Sequence, residues 1–328
     1  MTKPSCSVVI CTRHREALLA RCLDSLTRLD HPSYELIVVD NTAGEQEVAR
    51  LAAVVGARYV VEKRVGLSRA RNTGGRAARG EIVAYVDDDA VADRAWLGEH
   101  AAALEDRGLT ATTGRVLPIS LDAPAARSYA AAGGEDLGDV PFRVDRRTPE
   151  WFEMANFGGV GIGPNMAFRR SLFDAGWGFR ESLGPTSGIP GEEHYAFFTL
   201  IRSGRAIAYL PSAIVHHAYP ATIAALRRRR FRILQGAAAY MAMLLVEEPE
   251  FRQETLRYVW NGMRGERRAW RSDVADKRFA TRSELVAAAC AGLALYLRTV
   301  LSNRGSSRRN SSLPAAAETE GSQRSVPS

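Results

Sequence analysis

Over its first 120 residues the chain switches repeatedly between two hydrophobic periods. Val8-Val9-Ile10-Cys11, within residues 7–12, is an apolar run too short for a helix. It gives way to Leu18, Leu19, Cys22, Leu26 and Leu29, spaced as one face of a helix over residues 16–29. Leu36-Ile37-Val38-Val39 predicts a second buried strand that ends at Asp40-Asn41, with a helix over 45–55 and a third strand over 57–61. Gly66 opens a helical stretch through Ala78, and Gly80 stops it. Residues 81–90 form the strand around which the rest is organised, because it runs directly into Asp87-Asp88-Asp89; a helix over 95–105 and a strand over 110–117 follow. Strand and helix alternating through short links predict an α/β fold with a Rossmann-like, mostly parallel sheet and helices on both faces.

Beyond residue 120 the pattern changes. Residues 120–157 show little periodicity and many Gly, Pro and charged residues, the mark of a functional or mobile loop. The glycine-rich run from Gly158 to Gly163 reads equally as a tight crossing or as a place where a ligand approaches the backbone. Met166-Ala167-Phe168 is a short apolar run, and Tyr195, Phe198, Leu200 and Ile201 lie in helical register over 192–203. Two short strands, 206–210 and 213–215, lead to His216-His217. Residues 222–245 and 284–301 read as basic helices, and residues 302–328, rich in Ser, Ala, Pro and charge, as a disordered tail.

Composition sharpens this in three ways. A hydrophobic fraction of 46% and a charged fraction of 25% over 328 residues are those of a soluble globular protein. The formal charge of +7 is uneven, with Arg227-Arg228-Arg229-Arg230 after Pro220. A basic stretch beside apolar helices predicts peripheral contact with an anionic membrane surface rather than a nucleic acid. The apolar run in residues 285–297 is about 13 long, against the roughly 20 that span a bilayer. Cys6, Cys11, Cys22 and Cys290 form no C-x-x-C pair or zinc pattern, and the first three read as core residues of a reducing compartment. With the first apolar run stopped at once by Arg13, His14 and Arg15, the expected location is cytoplasmic, peripheral at the inner membrane face.

Three adjacent carboxylates repel one another and cannot be buried unpaired, so Asp87, Asp88 and Asp89 belong at the carboxyl edge of the sheet, where open α/β folds bind ligands. A divalent cation is the simplest partner for such hard oxygen ligands, and would bring a phosphorylated ligand with it. The turn after the first strand, Thr12-Arg13-His14-Arg15, has no glycine, which disfavours the pyrophosphate turn of nicotinamide-binding folds, and there is no Walker A sequence.

Six pieces in order carry a more specific message: Ser7 to Arg13, Glu35 to Asn41, Gly66-Leu67-Ser68-Arg69-Ala70-Arg71-Asn72, Val86 to Ala90, Gly163 to Arg169 and Gly191-Glu192-Glu193. Together they resemble a family 2 glycosyltransferase of GT-A fold over roughly residues 5–220. The resemblance implies transfer of a sugar from a nucleotide sugar, with inversion at the anomeric carbon and assistance from Mg²⁺ or Mn²⁺. It implies that Thr12 and Arg13 line the base pocket, that Asp40 accepts a hydrogen bond from the base, and that Arg71 sits near the nucleotide. Asp87 and Asp88 would then meet ribose or donor sugar, Asp89 would bind the metal, and His217 would complete the metal or pyrophosphate site. The general base is expected at Glu193, with Glu192 in reserve. Here the chain departs from the usual Glu-Asp of the family, and an acidic pair at a helix N-terminus is stabilised by the dipole without any catalysis.

The expected organisation is a GT-A domain over 1–220, with a nucleotide-binding half to about 118 and an acceptor half from 119, then a basic helical extension over 221–301 and the tail. Expected partners are a UDP- or dTDP-linked donor and a glycan, lipid-linked or secondary-metabolite acceptor, with Trp151 and Trp177 as residues that could stack on it. A nucleotidyltransferase making the nucleotide sugar is one alternative, although its glycine-rich, lysine-containing loop is missing. A non-catalytic nucleotide-sugar-binding protein is the other.

Overall fold

The protein is described here by a computed structural model covering residues 6–185, 188–264 and 282–303. In chain order the elements are β1 (Cys6–Thr12), α1 (Glu16–Leu26), β2 (Tyr34–Asp40), α2 (Gln46–Val54), β3 (Arg58–Val61), α3 (Leu67–Ala77), β4 (Ile82–Asp87), β5 (Ala90–Ala92), α4 (Trp96–Ala103) and β6 (Leu109–Pro118). They continue with α5 (Pro124–Ala131), β7 (Phe142–Val144), α6 (Trp151–Asn156), β8 (Asn165–Arg169), α7 (Ser171–Asp174), α8 (Glu192–Arg202), β9 (Ala206–His217), α9 (Ile223–Glu247), α10 (Arg252–Arg264) and α11 (Arg282–Asn303).

The strands form one mixed sheet in the order β3-β2-β1-β4-β8-β6-β9-β5, with β7 paired to β9. From β3 to β4 all pairing is parallel. Successive residues of these strands point to opposite faces, and both faces are covered, so the strands are apolar throughout. Val9, Ile37, Val39 and Val83 pack in one core, while Val8, Ile10, Val38 and Ala84 pack in the other beneath α1, α2 and α4. Past β4 the expected parallel order gives way. β8 enters at the carboxyl end of β4, with Asn165 opposite Val86, and therefore runs antiparallel to both β4 and β6.

Three expectations need correction. The aperiodic stretch 120–157 holds α5, β7 and α6, elements too short to show a period of their own. The two strands expected over 206–215 are one, β9, which keeps pairing with β6 through a register shift beside Pro211. Trp177 and Trp151 are packing residues: Trp177 is buried among Phe168, Phe173 and Phe179, and Trp151 stacks on Phe198. The two C-terminal helices expected from the pattern are present as α9 and α11. They bring Ala239, Tyr240, Met243, Leu244 and Tyr296 to the same core as Phe197 and Phe198 of α8. Of the tail expected over 302–328, residues 302 and 303 belong to α11 and the rest lies outside the described residues.

A polar knot fastens the antiparallel half. The Asn165 side chain donates to the carbonyls of Arg115 and Ala213, the ones flanking the register shift, at 2.9 and 2.8 Å. Its Oδ1 accepts from Trp96 Nε1 at 2.8 Å and from His100 Nε2 at 2.9 Å. With Nε2 assigned as the donor by this network, Nδ1 accepts from the Thr112 hydroxyl at 2.8 Å. His100 is wholly buried, and burial pulls its pKa down to about 4, so it is neutral in the fold. Its folded pKa lies below the value near 6.5 of an unfolded chain. Between the two the unfolded state binds more protons, so the stabilisation is complete above about pH 6.5 and is lost as pH falls toward 4. Urea titrations should show a fall of about 1–3 kcal/mol across that window. In His100→Gln that slope should flatten, and an unchanged slope would mean that His100 is not neutral in the fold.

Candidate functional site

The site forms where β1, β4 and β9 end together. Asp87 closes β4, and the chain turns through Asp88 and Asp89 into β5, whose Ala90 pairs with His217 at the end of β9. Adjacent aspartates at one strand end need cations or donors, and they draw them from several segments of the chain. Thr12 Oγ1 donates to Asp88 at 2.8 Å, and Arg15, at the N-cap of α1, reaches Asp88 at 2.8 Å and Asp89 at 3.0 Å. His217 Nε2 lies 3.0 Å from Asp89, and its Nδ1 lies 2.8 Å from Glu135. Glu135 in turn is paired with Arg229 of α9.

On the other side Arg71 of α3, 2% exposed, bridges Asp87 at 3.2 Å and Glu192 at 2.9 Å. Arg71 explains part of the glycine run: a Cβ on Gly163 would stand 2.6 Å from the guanidinium, so the glycine leaves room for an arginine rather than for a ligand. Gly191 takes φ +110° at the start of α8, a conformation that sets Glu192 and Glu193 in its first turn.

Protonation follows from this geometry. Burial works against the charge on Asp89, but His217 and Arg15 outweigh it and hold the carboxyl down to about 2. Burial likewise opposes a charged His217, yet Asp89 and Glu135 raise it to about 10. Asp88 is pushed up by burial against the pull of Arg15 and Thr12. Glu192 is raised to about 7 by burial and by the neighbouring Glu193, with Arg71 opposing; Glu193 is raised by burial, again with Arg71 opposing. A carboxylate raised toward neutrality accepts a proton more readily, which is what a general base requires.

Among the residues expected to act together, Thr12, Arg71, Asp87, Asp88, Asp89, Glu192 and His217 are linked by these contacts, with Glu193 beside them in the first turn of α8. Arg13 is exposed on the turn after β1. Asp40, expected to meet the base, is fully buried and organises its own loop, accepting from the Thr42 and Tyr59 hydroxyls and the Glu45 N–H at 2.7 Å each. Arg15, Glu135 and Arg229 were not foreseen. Arg15 could have been found in the same turn as Arg13. Glu135 sits in an aperiodic stretch, and Arg229 is hidden in an arginine run.

Asp87, Asp89 and His217 offer ligand atoms all within 4.8 Å of one another. Two carboxylates and one imidazole are a donor set suited to a divalent cation such as Mn²⁺. His14, Glu16 and Glu45 lie equally close, but at the surface.

A mixed sheet of this order, with an acidic strand end facing a glutamate pair, is the architecture of a GT-A glycosyltransferase. The mannosyltransferase PcManGT from Pyrobaculum calidifontis, solved in complex with GDP-Man and Mn²⁺, shares the fold at a TM-score of 0.52 and 18% identity, over 94% of this chain and 77% of that one. The chain belongs to glycosyl transferase family 2, whose sequence model matches residues 7–177. Glycosyltransferase AglE of Haloferax volcanii is 30% identical over 122 residues, which cover 35% of this chain and 40% of that protein. The uncharacterized glycosyltransferase EpsJ of Bacillus subtilis is 36% identical over 90 residues, 26% of each chain. The matches thus span less than half the length of these curated relatives.

Arg71 supplies a test of the site's internal balance. Removing one partner of a buried ion pair leaves the other uncompensated, at a cost of about 3–5 kcal/mol. Arg71→Met should lose stability on that scale by denaturant titration, and Arg71→Met with Glu192→Gln should recover at least about 1 kcal/mol of it. Strict additivity of the two substitutions would mean that the pair is not coupled.

Proposed function

We propose that this chain is an inverting, metal-assisted glycosyltransferase that moves a sugar from a nucleoside-diphosphate donor, UDP- or dTDP-linked, to a hydroxyl of a glycan, lipid-linked or secondary-metabolite acceptor. The observation that carries the reading is the convergence of Asp87, Asp89 and His217 at one end of β4, with Glu192 and Glu193 on the far side of Arg71. Asp89 and Asp87, with His217 once its Nε2 proton is displaced, would hold Mg²⁺ or Mn²⁺. When bound, the cation would offset the negative charge that the leaving nucleoside diphosphate acquires. The Mn²⁺ and GDP-Man in PcManGT support this class of ligand.

Glu193 accepts the proton of the acceptor hydroxyl. As the hydroxyl oxygen bonds to the anomeric carbon, the bond from that carbon to the phosphate oxygen breaks on the opposite face, which inverts the centre. Glu192 has one oxygen paired with Arg71 and the other with the Gly191 N–H at 3.2 Å, whereas Glu193 is held by backbone N–H groups, Gly163 among them, with no side-chain ion pair among the described contacts. Arg15, Arg71 and Thr12 keep the aspartates fixed on the donor side. Neither nucleotidyl transfer nor binding without turnover calls for a base of raised pKa in this position.

Glu193→Gln should leave nucleotide affinity nearly unchanged and lower transfer about 10²-fold or more, the range of general-base loss. Asp89→Asn should abolish the Mn²⁺ dependence of nucleotide-sugar binding. Transfer at the normal rate in Glu193→Gln, with collapse in Glu192→Gln, would move the base one residue back; normal transfer in both would remove the pair from the mechanism. The donor is read from the same assay by comparing UDP-, dTDP- and GDP-sugars.

We infer further that the outer face of α9 and α11 rests on anionic lipid. Arg227, Arg228 and Arg232 are exposed on α9. Val286, Leu293, Leu297 and Leu301 form an exposed apolar stripe along α11. No helix among the described residues is long and apolar enough to cross a membrane. Each basic residue near an anionic surface is worth about 1 kcal/mol and is screened by salt. Co-sedimentation should therefore require phosphatidylglycerol-containing vesicles and weaken at high ionic strength; equal pelleting with neutral vesicles would count against it.

A further inference from the structure

One arginine of the run over 227–230 does something other than face outward. Arg229 is partly buried, pairs with Glu135 and lies over the Tyr129 ring with its guanidinium carbon 5.1 Å from the centroid. Glu135 is 7% exposed and fixed on three sides. Its carboxylate takes Arg229 on one oxygen and His217 Nδ1 on the other, and its N–H donates to the Tyr219 hydroxyl at 3.0 Å. Tyr219 packs edge-on against Tyr129, with centroids 4.8 Å apart. This carboxylate makes no hydrogen bond of its own to Asp87 or Asp89 among the described residues; it reaches Asp89 through the imidazole. The other nitrogen of that ring, Nε2, is the one aimed at Asp89.

We propose that Glu135 is a positioning residue for the cation site, that it fixes the ring orientation and tautomer of His217, and that Arg229 from α9 holds Glu135 in place. This inference rests on the metal-assisted reading above. A ligating histidine whose second nitrogen is held by a carboxylate presents the first nitrogen in one direction only, and loss of such a partner commonly weakens metal binding 10–100-fold. The cation site is therefore completed by two segments outside the strand ends: the turn after α5, and α9 of the C-terminal helices.

The test measures Mn²⁺ binding to the full chain directly, by the electron paramagnetic resonance of free Mn²⁺, so that no turnover is needed. Glu135→Ala should raise the Mn²⁺ dissociation constant about 10–100-fold, and Glu135→Gln, which keeps an acceptor for Nδ1–H but loses the charge, by less. Arg229→Ala should weaken binding several-fold, and Arg229→Lys should restore most of it. In a His217→Ala background, Glu135→Ala should have no further effect, because its influence passes through the ring. An equal loss with and without His217 would overturn the positioning role in favour of bulk electrostatics, and unchanged affinity in folded Glu135→Ala and Glu135→Gln would overturn it outright. If the unmodified protein bound no Mn²⁺, the metal-assisted reading would fall, and this inference with it.

Discussion

The constraint on which the site depends is the mutual repulsion of Asp87, Asp88 and Asp89 at the end of a buried strand. A strand as apolar as β4 has to sit inside the sheet, and its register then delivers three carboxylates to one edge. None of them is stable there unless positive charge or donors reach it. The chain meets this need from widely separated segments: Thr12 and Arg15 from the first turn, Arg71 from α3, His217 from the end of β9. Each contact ties a distant element to the strand end, so the electrostatics of the site also fix the relative placement of the elements that build it.

A second, neutral constraint holds the antiparallel half of the sheet. β9 has to pass Pro211, beside which its pairing with β6 shifts register and the ladder loses donors. Asn165 supplies the missing donors and ties in Trp96 and His100, so a break in one strand becomes a crosslink among β6, β8, β9 and α4. Because Asn165 lies one residue along from the Asp87 edge in β8's pairing with β4, the knot also stiffens the platform behind the aspartates.

The parallel half was legible in the sequence because strands covered on both faces must be apolar at every position, and Val8-Val9-Ile10 or Leu36-Ile37-Val38-Val39 has no other economical reading. The triple aspartate and the glutamate pair were legible for a different reason, since clustered carboxylates stand out chemically wherever they fall. What was hidden depends on tertiary contact. β7 spans Phe142–Val144 and exists because β9 offers it an edge, and no window of sequence that short carries a period. β9 was read as two strands because Pro211 marks a local break, while its continuity is decided by β6 and Asn165. Asp40, expected by likeness to accept a hydrogen bond from the base, accepts from the Thr42 and Tyr59 hydroxyls and the Glu45 N–H, contacts that no local pattern announces.

The arginine run shows how a uniform local signal can conceal two different roles. On a helix, successive residues are rotated by about 100°, so four adjacent arginines cannot all face one way. Arg227 and Arg228 point to solvent, where charge is screened and free to meet an anionic surface. Arg229 falls on the side that packs against the body, with Leu226 and Tyr240, and there a guanidinium needs a carboxylate. Glu135 is that carboxylate, and its second oxygen is committed to His217. The helix that carries the exposed basic face is thus tied to the strand end through the Arg229–Glu135–His217 contacts as well as through its core packing.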